Sequence, residues 1–155
     1  MVTTSAGILL YRVDADGGVS ALVAHMGGPF WARKDEAAWS IPKGEIDPDE
    51  PPLDAARREF REELGLEPPD ADYVELGTVA YTSGKRVTVF VADGADFSID
   101  GAVFGEFEMV WPPRSGRVAS FPEVDRLEWM PVADARRRLV VGQRPMLDLL
   151  ERLLG

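Results

Sequence analysis

Apolar stretches separated by turn residues predict a series of short β-strands along most of this chain. Clusters of Gly, Asp, Pro and Ser mark the turns, and a hairpin is indicated around Ser83 and Gly84. Residues 112–122 contain several prolines and are expected to form a loop. The predicted strands are residues 5–13, 19–25, 73–81, 86–91, 103–111 and 127–130.

Residues 53–64 follow a different period, which predicts a helix with one buried face. Asp49 or Glu50 is a plausible N-cap, two prolines suit the first turn, and Gly65 suits the position just after the last turn. The apolar positions, spaced by three and four, are Leu53, Ala56, Phe60 and Leu64.

Two further helices, residues 132–140 and 144–153, are predicted near the C-terminal end. Strands flanking one central helix, followed by helices, indicate an α/β fold arranged as an α/β/α sandwich. A chain of 155 residues with 45% hydrophobic content fits one domain, residues 1–155. The absence of cysteine excludes disulfides and thiolate metal sites. Because no signal peptide or transmembrane run is evident, we expect a cytoplasmic protein.

Three glutamates lie close together on the predicted helix at 53–64. At about 100° per residue, Glu59, Glu62 and Glu63 span an arc of only about 100°. Like charges at this spacing repel by about 0.2–0.5 kcal/mol per pair, and a bound divalent cation would reverse the sign. The competing interpretation is a solvated helix whose acids are balanced by neighbouring arginines. Residues 44–66 carry eight acids and three arginines, so this segment accounts for half of the chain's formal net charge of −10.

These acids belong to a longer pattern with fixed spacing. Gly44 is followed after five residues by Glu50 and after seven more by the run Arg58-Glu-Phe-Arg-Glu-Glu-Leu-Gly-Leu66. This pattern resembles the complete signature of the Nudix hydrolases, and the preceding Trp39-Ser-Ile-Pro-Lys-Gly is similar to Nudix sequences as well. The resemblance implies a mixed β-sheet between helices. It also implies Mg²⁺-dependent hydrolysis, with Mn²⁺ as an alternative, of a nucleoside diphosphate linked to a group X.

The resemblance also implies the metal ligands. The backbone carbonyl of Gly44 would contribute to the metal site, and Glu59, Glu62 and Glu63 would bind the metal or support its ligands. These are hard oxygen donors, which Mg²⁺ prefers.

The catalytic set implied by the same resemblance adds an arginine and a distant acid. Glu50 and Arg58 would pair and brace the loop against the helix. Glu123, six residues before Trp129, lies where some family members have another metal-binding or base-supplying glutamate. The general base is Glu62, Glu63 or Glu123, with Glu59 in the same catalytic set, and the sequence does not choose among them.

Three further residues are candidates for substrate binding. Lys43 adjoins the metal loop, and its Pro-Lys-Gly context favours contact with a phosphate over a solvent-facing position. Trp31, like Phe30 and Trp39, could stack on a base or pack in the core. Arg114 lies in a short basic loop that could bind distal phosphates or form a solvated turn.

Nucleoside triphosphates and dinucleoside polyphosphates are the leading substrate classes. The alternatives are cleansing of oxidised nucleotides, hydrolysis of RNA 5′ ends, and a non-catalytic nucleotide sensor. The acidic balance argues against DNA and RNA as partners, because backbone binding needs clustered Lys and Arg. No membrane partner is expected, and the oligomeric state, the base preference and the number of metals are left open.

Overall fold

The computed structural model describes residues 4–155. The strands are β1 Thr4–Val13, β2 Val19–Met26, β3 Trp39–Ser40, β4 Lys43–Glu45, β5 Val74–Ala80, β6 Arg86–Asp93, β7 Glu106–Val110, β8 Val118–Pro122 and β9 Val124–Pro131. The helices are α1 Pro52–Leu64, α2 Val132–Arg138 and α3 Pro145–Leu154, with a 3₁₀ turn at Val141–Gln143.

The main sheet has seven strands and is mixed, as expected. Its central order is β3-β2-β1-β6-β5, with β4 also paired to β1 and β9 also paired to β2. Strands β1 and β6 run parallel, and the other pairs of this sheet are antiparallel. Strands β4 and β6 pair with opposite edges of β1, so β1 lies between the segment that leads into α1 and the β5–β6 hairpin.

Helices cover both faces of this sheet. On one face, Phe60 and Leu64 of α1 pack in a cluster with Ile8 of β1. On the other face, Leu147 of α3 packs in a cluster with Leu9 of β1. Alternate residues of one strand therefore serve two cores, which is the period-two pattern of a strand buried on both sides. The predicted α/β/α sandwich is confirmed. No helix within residues 4–155 has both the length and the apolar character needed to cross a membrane.

Helix α1 ends as the sequence indicates but begins differently. Gly65 has a φ of 66° and adopts the left-handed conformation that favours glycine at this position. The N-cap, however, is Pro51, and no side chain caps the helix. The expected cap by Asp49 or Glu50 is therefore wrong, because the Glu50 carboxylate is bound by Arg58 instead.

The loop predicted at 112–122 is wrong in its second half. Residues 118–122 form β8, which pairs with β7 in a separate two-stranded sheet that places Phe107 opposite Phe121. The prolines that suggested a loop lie at the tip and at the end of this hairpin, where they do not interrupt the strand pairing.

Candidate functional site

The loop before α1 lies directly against the helix because it contains a glycine. Gly44 of β4 pairs with Ala6 of β1 and faces α1. A Cβ atom at Gly44 would lie 2.0 Å from the carboxyl carbon of Glu59. Only glycine therefore lets the Glu59 carboxylate come this close to the loop backbone.

Arg58 connects the loop to the helical acids. Its Nε and Nη2 donate to the two carboxylate oxygens of Glu50, each at 3.0 Å, and Nη2 also donates to the Glu45 carbonyl at 3.0 Å. Its Nη1 donates to Glu59 at 2.9 Å and to Glu62 at 3.3 Å. These bonds, led by those to Glu50, raise the pKa of Arg58, so it is cationic throughout the working range. The expected brace between Glu50 and Arg58 is present.

Glu63 has the most strongly perturbed carboxyl group of the site. Burial raises its pKa to about 8, and the charges of Glu123 and Glu59 add to this rise. Lys43 opposes it through its positive charge and through its backbone N–H, which donates to Glu63 Oε2 at 3.1 Å. The pKa of Glu59 is also raised, first by burial. This position therefore stabilises a carboxylate poorly unless more positive charge is present.

Glu123 reaches the site from the bend between β8 and β9. Its N–H donates to the Gly105 carbonyl at 2.7 Å, and its carbonyl accepts from the Gly27 N–H at 2.9 Å. Burial raises the pKa of Glu123, the charge of Glu62 raises it further, and Lys43 partly opposes the rise. A distant part of the chain therefore adds a fourth acid to the three on α1.

These groups surround one cavity of about 440 Å³. Glu62 does not line it, because its side chain is 58% exposed and turns to Arg58. The cavity wall includes Lys43, Gly44, Glu59, Glu63 and Glu123.

The predicted substrate-binding residues separate in space. Lys43 lines the cavity, whereas Trp31 and Arg114 do not. Trp31 packs partly buried against the core, and Arg114 is exposed at the tip of the β7–β8 hairpin. Trp39 is 1% exposed and donates through Nε1 to Asp35, so the suggestion that it could stack on a base is wrong.

A divalent cation fits the donor set, although the acids are not gathered around a common centre. Within residues 4–155, no three Asp, Glu or His side chains are drawn together closely enough to hold a metal ion. Arg58 donates hydrogen bonds to Glu59 and Glu62, so both carboxylates turn to the arginine. All the donors are oxygens, and burial, together with the neighbouring acids, raises the pKa values of Glu59, Glu63 and Glu123, a cost that a hard dication would offset.

Two residues near the site were not assigned a role from the sequence. Lys85, in the β5–β6 turn, lies beside Lys43, and a single lysine in a turn gives no signal of this proximity. His25, at the end of β2, is fully buried. Its Nδ1 lies 2.7 Å from Asp125 Oδ1, and its Nε2 lies 2.6 Å from the Lys34 carbonyl. His25 thereby connects the loop of residues 27–38 to β9 at Asp125, which is two residues after Glu123.

The sandwich fold and the acid-lined cavity define the class of domain, and comparison with known proteins gives the family. The NUDIX domain family matches residues 1–150, so this chain belongs to the Nudix family.

Relatives with similar sequence include an RNA pyrophosphohydrolase of Halorhodospira halophila, 46% identical over 70 residues, which are 42% of this chain and 38% of that protein. An RNA pyrophosphohydrolase of Pseudomonas putida is 42% identical over 82 residues, which are 48% of this chain and 52% of that protein. The chain thus spans about half or less of the length of these curated relatives.

Similar solved structures include a C. elegans Ap4A hydrolase, with a TM-score of 0.67 and 20% identity, covering 98% of this chain and 97% of that one. The NUDIX domain of Shewanella oneidensis NrtR complexed with ADP ribose has a TM-score of 0.67 and 17% identity, covering 100% of this chain and 90% of that one. At these identities, the similarity shows the fold.

Proposed function

We propose that this chain is a Mg²⁺-dependent pyrophosphohydrolase that cleaves a nucleoside diphosphate linked to X. Nucleoside triphosphates and dinucleoside polyphosphates are the leading substrates. One observation carries the proposal. Glu59, Glu63 and Glu123 border a single cavity in which their pKa values are all raised, and Lys43 lies on the same wall. Clustered, perturbed carboxylates in a cavity are typical of catalytic sites.

Glu59, Glu63 and the Gly44 carbonyl are the proposed metal ligands. Glu62 is a peripheral support, since it is mostly exposed and shares Arg58 with Glu59. When bound, Mg²⁺ (or Mn²⁺ in its place) would neutralise the oxygens of the diphosphate. Arg58 keeps Glu59 oriented and the loop closed against α1 through its bonds to Glu50.

Glu123 is the proposed general base. It faces the helical acids from a separate segment and has no cationic partner within ion-pairing distance among residues 4–155. Its pKa is raised, so its carboxylate is a stronger proton acceptor than an ordinary glutamate. Its backbone bonds to Gly27 and Gly105 hold the segment that carries it, which supports a fixed role for this residue in activating the attacking water.

The test is phosphate release from a panel of substrates with Mg²⁺, with pyrophosphatase and phosphatase as coupling enzymes. The panel contains nucleoside triphosphates, oxidised nucleotides, nucleotide sugars and dinucleoside polyphosphates. We expect turnover that is concentrated on one class and is abolished by Glu63→Gln. Glu123→Gln should lower kcat by about 10²–10⁴-fold with a smaller change in KM, because removal of a general base affects the chemical step.

Glu75→Gln is the matched control, because Glu75 is exposed on β5 outside the cavity. It should retain wild-type rates on every substrate. Absence of turnover with the whole panel, in Mg²⁺ and in Mn²⁺, would contradict the proposed reaction. Tight nucleotide binding without turnover would then support a nucleotide sensor.

Hydrolysis of triphosphorylated RNA 5′ ends is the second candidate. The names of the sequence relatives favour it, against our expectation that RNA is a poor partner. The structure adds one supporting feature: Arg114 and Arg117 are exposed at the tip of the β7–β8 hairpin, and Phe30, 58% exposed, lies edge-on to Trp111 at 5.5 Å between ring centroids. Basic and aromatic side chains together suit single-stranded nucleic acid.

A competition experiment separates the two candidates. If RNA is the substrate, triphosphorylated RNA should be hydrolysed with a higher kcat/KM than a nucleoside triphosphate. Salt should reduce this advantage steeply. Equal values for the two substrates at low salt would remove the RNA candidate.

A further inference from the structure

Strand β9 contains an extra residue close to its start. In β2, His25 and Met26 are consecutive, whereas their partners in β9 are two residues apart. Asp125 is the residue between these partners and has no counterpart in β2. Such an insertion is a β-bulge, which bends its strand and is frequent next to active sites. The bulge therefore separates the regular part of β9 from the bend that carries the proposed base.

The side chain of Asp125 turns to His25, the only histidine in the chain. His25 is fully buried; its Nδ1 lies 2.7 Å from Asp125 Oδ1 and its Nε2 lies 2.6 Å from the Lys34 carbonyl oxygen. A backbone carbonyl and an ionised carboxylate only accept hydrogen bonds. The Asp125 side chain is 32% exposed and its Oδ1 lies 3.6 Å from Arg126 Nε, a setting that favours the ionised form. Both ring nitrogens therefore donate, which requires the doubly protonated, cationic imidazole.

The charged groups around this imidazole come from three elements. From β9 they are Asp125 and Arg126. From the loop of residues 27–38 it is Asp35, which accepts from Nε1 of Trp39, whose ring lies edge-on to the imidazole at 5.1 Å between centroids. From α2 it is Arg138, whose Nε lies 3.2 Å from Asp35. Of these four groups, Asp125 alone bonds to the imidazole, so its charge offsets the cost of burying the cation.

The same two segments are joined a second time through the backbone of Glu123. Its carbonyl accepts from the Gly27 N–H at 2.9 Å. A Cβ at Gly27 would lie 2.0 Å from the Pro122 carbonyl oxygen, so only glycine lets the segments approach this closely. The base-carrying segment is thus anchored to the end of β2 at two points, by one backbone bond and by the side-chain bond between His25 and Asp125.

We propose that His25 is a positioning residue for Glu123 and that it acts as a doubly protonated imidazole. This inference rests on the proposed function, in which Glu123 is the general base. His25 does not line the carboxylate cavity, so it acts through Asp125: its charge holds the bulge in one arrangement, and the bulge aims the bend that carries Glu123. Loss of this tie should therefore impair the chemical step more than substrate binding.

Nitrogen NMR of the untagged, ¹⁵N-labelled protein tests the protonation state, because a single histidine gives unambiguous ring signals. At pH 7 we expect two ring N–H signals, whereas a neutral ring has one. Asp125→Asn should leave only the Nε2–H signal, since its amide can donate to Nδ1 and a neutral ring then satisfies both contacts. Asp72→Asn is the matched control and should keep both signals, because Asp72 is exposed and forms no ion pair within residues 4–155.

Turnover tests the positioning. Asp125→Ala should lower kcat by about 10- to 100-fold and change KM by less than about 2-fold, because a displaced base affects the chemical step. Asp125→Asn should recover most of this kcat, since its amide still bonds to the ring. In a Glu123→Gln background, Asp125→Ala should cause little further loss, because the two changes remove the same function. Asp72→Ala should keep wild-type rates.

Hydrogen exchange measures the anchoring without a substrate. The N–H groups of Gly27 and Glu123, which bond to the carbonyls of Glu123 and Gly105, should exchange about 10-fold faster in Asp125→Ala than in the wild type. The Gly65 N–H, which bonds to the Arg61 carbonyl at the end of α1, is the internal control and should exchange at the wild-type rate.

A single ring N–H signal in the wild type would overturn the proposal. Unchanged exchange at Gly27 and Glu123 in Asp125→Ala would do the same, as would full additivity of Asp125→Ala and Glu123→Gln. The NMR and exchange measurements need no substrate. A chain that turns over no member of the panel would therefore refute the proposed function, while these two measurements still decide the role of His25.

Discussion

Replacing Glu63 with glutamine should stabilise the metal-free protein, and the gain should grow with pH. Glutamine has nearly the same shape and can still accept the hydrogen bond that the Lys43 N–H donates to Glu63 Oε2 at 3.1 Å. It cannot ionise, so it avoids the cost of placing a negative charge in a desolvated position near Glu59 and Glu123. A buried carboxylate that is costly to the free fold is consistent with a trade of stability for the proposed activity.

The size of the effect follows from the pKa of Glu63. The folded protein raises it from 4.5 to about 8, so the folded state holds the proton more tightly than the unfolded state. Stability from this group is therefore fully present below pH 4.5 and is lost as the pH rises to 8. A rise of about 3.5 pKa units, at about 1.4 kcal/mol per unit, sets an upper limit of about 5 kcal/mol on the difference in free energy of unfolding. For a chain of this size, that limit corresponds to a difference in Tm of about 10–20 °C.

The assay is urea unfolding of the wild type and of Glu63→Gln in EDTA, from pH 4.5 to pH 9. The two proteins should have similar free energies of unfolding at pH 4.5, and the variant should exceed the wild type increasingly up to pH 8. Glu75→Gln should follow the wild type throughout. Mg²⁺ should then stabilise the wild type at pH 8 more than Glu63→Gln, because the cation binds the ionised carboxylate only in the folded protein.

A difference that does not change with pH would refute the reasoning, as would a variant less stable than the wild type at pH 8. Either result would mean that the Glu63 carboxylate is well solvated or already compensated in the free protein. Equal stabilisation of both proteins by Mg²⁺ would argue against Glu63 as a metal ligand.

Three further substitutions test other contacts of the site. Gly44→Ala should lower kcat/KM by at least about 10-fold, because the new Cβ displaces the Glu59 carboxylate. It should change the free energy of unfolding by less than about 1 kcal/mol, since the flexible end of Glu59 can move away. Steady-state rates and the Tm check these two results. Arg58→Ala should cost about 1–3 kcal/mol in urea unfolding, and Arg58→Lys should recover little of it, because lysine cannot reproduce the paired bonds. Asp125→Ala should cost about 1–3 kcal/mol by leaving a buried His25 nitrogen unpaired, and an unchanged unfolding midpoint would contradict that role.

The local part of the site could be predicted from the sequence because its residues are close along the chain. Glu59, Glu62 and Glu63 share one helix, so the helical period alone places them on one side. The end of this helix could also be predicted, because Gly65 is visible in the sequence and glycine readily adopts the positive φ required there. The spacing of Glu50 and Arg58 does not itself reveal their pairing, which came from the family resemblance.

The remaining features depend on strand pairing that the sequence does not encode locally. Lys85 approaches Lys43 across β1, because β4 and β6 pair with opposite edges of that strand. Trp39 is buried because β3 joins the edge of the main sheet, and β8 forms because its residues find a partner strand in β7. Such register is set by tertiary packing, which overrides the propensity of a short segment.

The separate β7–β8 hairpin has a consequence for how new specificities arise on this fold. It connects to the rest of the chain at its base, where the Glu123 N–H bonds to Gly105 and the Glu123 carbonyl to Gly27, and it shares no ladder with the seven-stranded sheet. Its tip, near Arg114, is therefore a site where insertions, deletions or grafted sequences leave the acids of α1 in place. Exchange of residues 106–122 between relatives offers a direct route to altered substrate range on an unchanged catalytic frame.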